Sequence, residues 1–389
     1  MKQYTGYKQL ATAAAFASIF ACAVIVTVVP AAIMEIKRSF GVSVTQLGWI
    51  FRLLMLAFLA AVIVGGHYGD RIGKIPPIAL GGVCMAVGMV MFARADSFNI
   101  ALVAISIAGI GAGLTEGLGT ALVADLYMGA KRRAMTNLGQ VAFAAGAVIG
   151  PAVTARILRA GIDWQAAFWG AAGICVLAGM TALVTLAFHR DLPVNSETEG
   201  GDWRAVIKDP LVIWLGIGIL LYVSAEAGTA NWLAAYLTSD IRAAAPVAAA
   251  SIAVFWFGIG AGRASATMVS RRISDIKLIG VCLILASVCE AVLLNTHTVA
   301  SSMTMIFLFG LCMGPVWPTI MSCAGGAYPA QSGGVIGILA AAGSLGSAVA
   351  SPLVGRVADA SSMRCALCIC LAALIINTLL FSRLRRRLD

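Results

Sequence analysis

The chain has 389 residues, 60% of them hydrophobic and only 11% charged, against about 25% charged in an ordinary soluble domain. That composition excludes a soluble globular protein and assigns the chain to the lipid bilayer. The net charge of +10 does not indicate nucleic acid, because the basic residues sit between apolar runs and not together on one soluble surface.

Apolar runs follow one another at roughly 10–34, 46–68, 76–93, 99–122, 134–158, 164–188, 211–237, 247–269, 276–294, 299–322, 333–354 and 364–382. A transmembrane helix needs about 20 such residues. Within lipid the backbone must satisfy its own hydrogen bonds, which leaves helices or a closed barrel; runs this long without period-2 alternation select helices. The first run is too long for a signal-peptide core and has no clear cleavage site, so it reads as the first span. The expected fold class is an all-α membrane protein of twelve transmembrane helices.

The one long polar stretch, residues 189–210 with NSETEGGDWR, falls at the midpoint. It divides the chain into residues 1–188 and 211–389, with a linker between them. An offset of 201 residues tests whether the halves repeat: Arg71 and Ile72 map onto Arg272 and Ile273, Gly109 and Gly113 onto Gly310 and Gly314, Tyr127 onto Tyr328, and Pro151 onto Pro352. With the N-terminus inside, the inner segments hold most of the 27 Lys and Arg, among them Arg71, Lys74, Lys131, Arg132, Arg263 and Arg383. That bias places both termini and the linker in the cytoplasm. The ten cysteines are scattered; Cys365, Cys368 and Cys370 cluster in a span without a nearby histidine, and zinc wants four tetrahedral ligands. No metal or cofactor is expected. Only His67, His189 and His297 occur, none beside a metal-ligand or nucleophile arrangement, so an enzyme is not expected.

Between the second and third runs lies GGHYGDRIGK, residues 65–74. Its charges exclude it from hydrocarbon, so it is a turn at the membrane surface. The spacing G-x-x-x-D-R-x-G-K resembles the loop between the second and third helices of the major facilitator superfamily. Gly66, Asp70, Arg71, Gly73 and Lys74 match, while Ile75 stands where a second basic residue is usual. ADLYMGAKRRA, with Asp125 near the end of the fourth run, resembles the family's acidic and basic surface cluster. The resemblance covers essentially the whole chain. It implies two six-helix bundles related by a pseudo-twofold axis, a transporter working by alternating access in the plasma (inner) membrane, and a gating role for these residues as a latch between helix ends. The second-half counterpart of the loop is degenerate, with Ser274 and Asp275 in place of Gly73 and Lys74.

Ionisable residues inside spans are the functional candidates, here Arg52, Glu116, Glu226 and Glu290. Arg52 lies about 27 Å along the helix from Asp70, near the far interface, where its long side chain snorkels; Glu290 is likewise near the end of its run. Glu116 lies about 14 Å inside the span end marked by Asp125, among apolar residues and glycines. A carboxyl in that setting suits a group that gains and loses a proton in each cycle. In the seventh run, AEAGTANWLAAYL places Tyr222, Glu226, Thr229, Trp232 and Tyr236 within an arc of roughly 120°. Asn231 joins that face only if the helix breaks, for which Gly228 gives an opening. A carboxylate, a hydroxyl and aromatic faces together suit a sugar ring.

These stretches, with GLTEG in the fourth run and GLCMGPVWPTI in the tenth, look like the fucose/glucose–proton symporter branch of the superfamily. That likeness implies proton coupling through Glu116 and sugar binding through Glu226, Asn231 and Trp232. The branch also carries an acidic residue in its first helix, and this chain has none between Ala11 and Met34. A competing cue, Gly146-x-x-x-Gly150-Pro151, resembles part of the exporter motif of drug–proton antiporters, with Ala152 to Ala155 replacing its closing glycine pair. Uptake of a sugar or related polar metabolite with protons is the leading expectation; export, or a receptor that keeps the fold without translocating, are the alternatives. The expected partners are a small-molecule substrate, protons and the bilayer, with the chain a monomer.

Overall fold

The computed structural model describes residues 2–188, 206–269, 273–328 and 331–388. Most of the expected linker (residues 189–205), Arg271 and Arg272 lie outside the described residues, as does the side chain of Asp70. Among the described residues all regular structure is helical. The helices are α1 Lys2–Ala31, α2 Ile33–Phe40, α3 Val44–Ile72, α4 Ile75–Ala93, α5 Phe98–Leu126, α6 Gly129–Arg159 and α7 Gln165–Phe188, followed by α8 Pro210–Ala230, α9 Leu233–Ser239, α10 Ala245–Val269, α11 Asp275–Leu293, α12 Val299–Met313, α13 Val316–Ala327, α14 Ser332–Ala360 and α15 Met363–Leu388. Twelve segments among them are long and apolar enough to span a membrane, at the places the apolar runs predict.

Local chemistry sets many of the ends. Ser97 and Thr298 have extended backbone and accept the N–H of Ile100 and Ser301, capping α5 and α12. Asp209 accepts the Leu211 N–H at 2.8 Å, and Pro210 opens α8, where a missing N–H is harmless. Gly73, between α3 and α4, has φ +85°, a left-handed conformation glycine adopts without strain. This is the physical reason for a glycine at that position of the surface motif.

The chain divides into two compact units, residues 1–40 with 53–197 and residues 41–52 with 198–389. Helix α3 contributes its first residues to the second unit and the remainder to the first. Within the first unit α4 packs on α5 and α7, and α1 on α6, α7 and α5. Within the second, α8 packs on α14 and α15, α10 on α12, and α11 on α12 and α15.

The internal repeat reappears in the packing. A Cβ on Gly109 would meet the Leu54 carbonyl oxygen, and one on Gly113 the Phe58 carbonyl. In the second unit Gly310 meets the Phe255 carbonyl and Gly314 that of Ile259. All four residues of the first set lie 201 positions before those of the second, so one helix crossing is built twice, each time with glycines that let two backbones touch. The breaks repeat too: α1 stops at Ala31 just after Pro30, and α8 stops at Ala230, each before a short continuing helix.

Candidate functional site

The seventh span is broken where Asn231 was expected to need it. Ala230 ends α8, Asn231 and Trp232 form the joint, and α9 resumes at Leu233. Gly228 permits a close approach here, since a Cβ would stand 2.7 Å from Cys370 Sγ. The joint is pinned from the side by α14: Asn231 Nδ2 donates to Ser351 Oγ at 3.0 Å, and Trp232 Nε1 donates to the Ser351 carbonyl at 3.1 Å.

Of the six residues expected to bind substrate, most have their polar atoms committed within the protein. Thr229 Oγ1 donates to Glu290 Oε1 at 2.6 Å, and Tyr236 Oη to the Leu293 carbonyl at 2.9 Å. The Trp232 ring meets Phe51 edge to face, centroids 5.5 Å apart. Tyr222, Thr229, Trp232 and Tyr236 are wholly buried and Asn231 nearly so. Glu226 differs from them in being only half-buried. Tyr222 Oη donates to Glu226 Oε1 at 2.6 Å and lies 3.2 Å from the Met313 carbonyl oxygen. The Tyr222 ring also stands 6.4 Å from that of Trp317.

Arg263 completes this group and corrects its reading from sequence, which counted it among the basic residues of the inner segments. It lies inside α10, within the candidate span Ala245–Ala266, close enough for its charge to act on Glu226 and on Tyr222. The signal was available: Arg263 falls inside the eighth apolar run, where a lone arginine is a functional candidate. A carboxylate, a guanidinium, a phenol and an indole from three helices thus meet in one half-buried constellation, able to exchange hydrogen bonds and charge with a small polar ligand.

Glu116 is half-buried on α5, engaged by its surroundings, with its charge acting on Cys22 of α1. Its neighbour Thr115 is fully buried and donates back to the Gly111 carbonyl at 3.0 Å. At the surface motif Lys74 Nζ donates to Asp125 Oδ2, tying the start of α4 to the end of α5. Arg71 is exposed, and Gly66 is half-buried with open space where a Cβ would stand. The Tyr127 ring beside Asp125 carries Lys8 Nζ 4.1 Å from its centroid.

The glycines of the partial exporter motif have a packing role. A Cβ on Gly146 would come within 3.0 Å of Ala23 Cβ, and one on Gly150 within 3.1 Å of Thr27 Oγ1. Both therefore seat α6 against α1.

A family model of the Major Facilitator Superfamily matches residues 14–334 and again residues 215–389. The chain belongs to that superfamily. The family makes it a secondary transporter and not an enzyme, an integral membrane protein handling small molecules. A protein named "Protein TsgA homolog" from Erwinia tasmaniensis is 22% identical over 349 residues, 88% of this chain and 86% of that protein. The homologue of the same name from Yersinia pestis (strain Pestoides F) is 19% identical over 336 residues, 86% and 84% of the two chains. Among solved structures, a bacterial homolog to the human lysosomal transporter Spinster, in an inward-facing and occupied conformation, superposes with a TM-score of 0.77 at 16% identity, covering 98% of this chain and 97% of that one. That likeness concerns the fold.

Proposed function

We propose that this superfamily member carries a sugar or a related small polar metabolite in symport with protons, by alternating access, from an inner membrane in which both termini face the cytoplasm. The observation that supports the substrate side is the constellation of Glu226, Tyr222, Arg263 and Trp317. It combines hydrogen-bonding groups of both polarities with aromatic surface, and it leaves Glu226 half-buried where its stripe neighbours are sealed. On this reading Asn231, Trp232, Thr229 and Tyr236 serve substrate by fixing the joint that positions Glu226. Glu116 serves the proton side.

Proteoliposome counterflow against a panel of hexoses, deoxyhexoses and polyols, with and without a pH gradient, tests the reading. Exchange and gradient-driven accumulation of one of them support it; binding without exchange favours a receptor. Glu226→Gln is expected to weaken binding of that compound about tenfold or more, since an unpaired buried partner costs roughly 1–3 kcal/mol. Affinity unchanged in the variant would remove Glu226 from the site.

The surface motif contributes rate. Lys74 and Asp125 join two helix ends, with Asp125 substantially exposed, and such a pair stabilises by at most about 1 kcal/mol. Asp125→Asn should therefore melt close to wild type and bind substrate normally, yet transport more slowly, as expected also for Asp70→Asn. An affinity loss as large as the rate loss would place Asp125 in a binding site.

A further inference from the structure

Glu290 takes no part in the constellation around Glu226. It lies in α11, three residues before that helix ends at Leu293. Among the described residues it is the one acidic or basic side chain in the fully buried set, with 0% exposure. Its Oε1 accepts from Thr229 Oγ1 at 2.6 Å, whereas its Oε2 is buried with no hydrogen-bond partner among the described residues.

The groups around it supply no countercharge. Thr229, on α8, is neutral. From α15 the Cys368 and Cys370 thiols face it, carrying no positive charge, while the Arg364 guanidinium is turned to the Thr296 carbonyl and to Tyr236. The titratable side chains of α12 and α13 face elsewhere, Cys312 towards Cys289 and Cys323 towards Asp275. On α8, Tyr222 and Glu226 face each other and Arg263. Tyr236 of α9 donates to the Leu293 carbonyl and lies beside Thr296 and the Arg364 guanidinium. An ionised Glu290 would be a buried charge balanced by one hydroxyl, an arrangement proteins avoid.

Its place in the fold gives this carboxyl leverage. Thr229 and Tyr236 flank the joint at Asn231 and Trp232, and α11 holds both: Glu290 takes the hydroxyl before the joint and the Leu293 carbonyl takes the one after it. We propose that Glu290 is a proton-binding site splinted across the break between α8 and α9, so that loading or releasing its proton tightens or loosens that joint. When loaded, the proton forms an O–H bond at Oε2 and Oε1 accepts from Thr229, leaving no net charge. On release the proton passes to water, and the remaining charge needs donors that this packing does not supply. The joint, already outside helical hydrogen bonding, is the nearest backbone able to admit them.

Infrared difference spectroscopy on the full-length protein in lipid nanodiscs, at neutral pH in light and heavy water, tests the site without any substrate. Failure here is therefore distinguishable from failure of the transport reading. The wild type should show a protonated-carboxyl band that Glu290→Gln lacks and that shifts in Thr229→Val, where the hydroxyl donor is gone. An identical band in wild type and Glu290→Gln overturns the site. If Glu290→Gln does not fold, Thr229→Val decides, and an unshifted band overturns the proposal. Amide exchange across residues 228–234, corrected for intrinsic rates, should accelerate with rising pH in the wild type; exchange independent of pH overturns the link to the joint.

Discussion

Replacing Glu116 by glutamine is expected to abolish uphill accumulation of substrate while leaving exchange down the substrate's own gradient intact. Glutamine keeps the length, volume and acceptor oxygen of the glutamate, so the packing around this half-buried side chain on α5 is preserved and the fold should survive. What the amide lacks is a proton it can take up and release. A carrier coupled through Glu116 would then alternate in one protonation state only, exchanging substrate without drawing on the pH gradient. Proteoliposomes with an imposed gradient read accumulation; the same vesicles preloaded with substrate and without a gradient read exchange. Glu226→Gln provides the contrast, because weaker substrate binding lowers both signals together. Accumulation by Glu116→Gln at the wild-type level would remove Glu116 from the coupling.

Much of the architecture was legible in the residues because a membrane helix announces itself by length and apolarity alone. Gly109 and Gly113 recurring at Gly310 and Gly314 also gave a true structural equivalence, since close backbone contact demands glycine wherever it occurs. The site was less legible. A helical stripe such as Tyr222, Glu226, Thr229, Trp232 and Tyr236 states which side chains share a face. Whether that face meets a ligand or a neighbouring helix depends on partners far along the chain. Ser351 lies about 120 residues from the joint it pins, and Glu290 lies 61 residues from Thr229. Arg263 was mis-sorted by a related cause: a rule that counts basic residues between spans says nothing of one lying within a span. The glycines at 146 and 150 show the converse, since a motif remnant and a packing seam use the same residues.

Trp232 offers the sharpest test of how the joint is held, and Trp232→Ala is expected to destabilise the protein by about 3 kcal/mol or more. The side chain is wholly buried, donates to the Ser351 carbonyl and packs edge to face on Phe51. Lipid tails are as apolar as a helix interface, so little of this comes from exclusion of water; it comes from packing contacts that a cavity forfeits and from one interhelical hydrogen bond. Trp232→Phe separates the two contributions. It keeps most of the ring volume and loses the N–H, so it should cost only about 1 kcal/mol. Thermal unfolding in detergent, followed by the remaining tryptophans, should rank wild type, Trp232→Phe and Trp232→Ala in that order, with a wide gap before the last. If Trp232→Ala instead melts like wild type and loses substrate affinity, the indole faces the ligand during transport. The stripe on α8 and α9 would then be a binding surface in its own right, and not the support for Glu226.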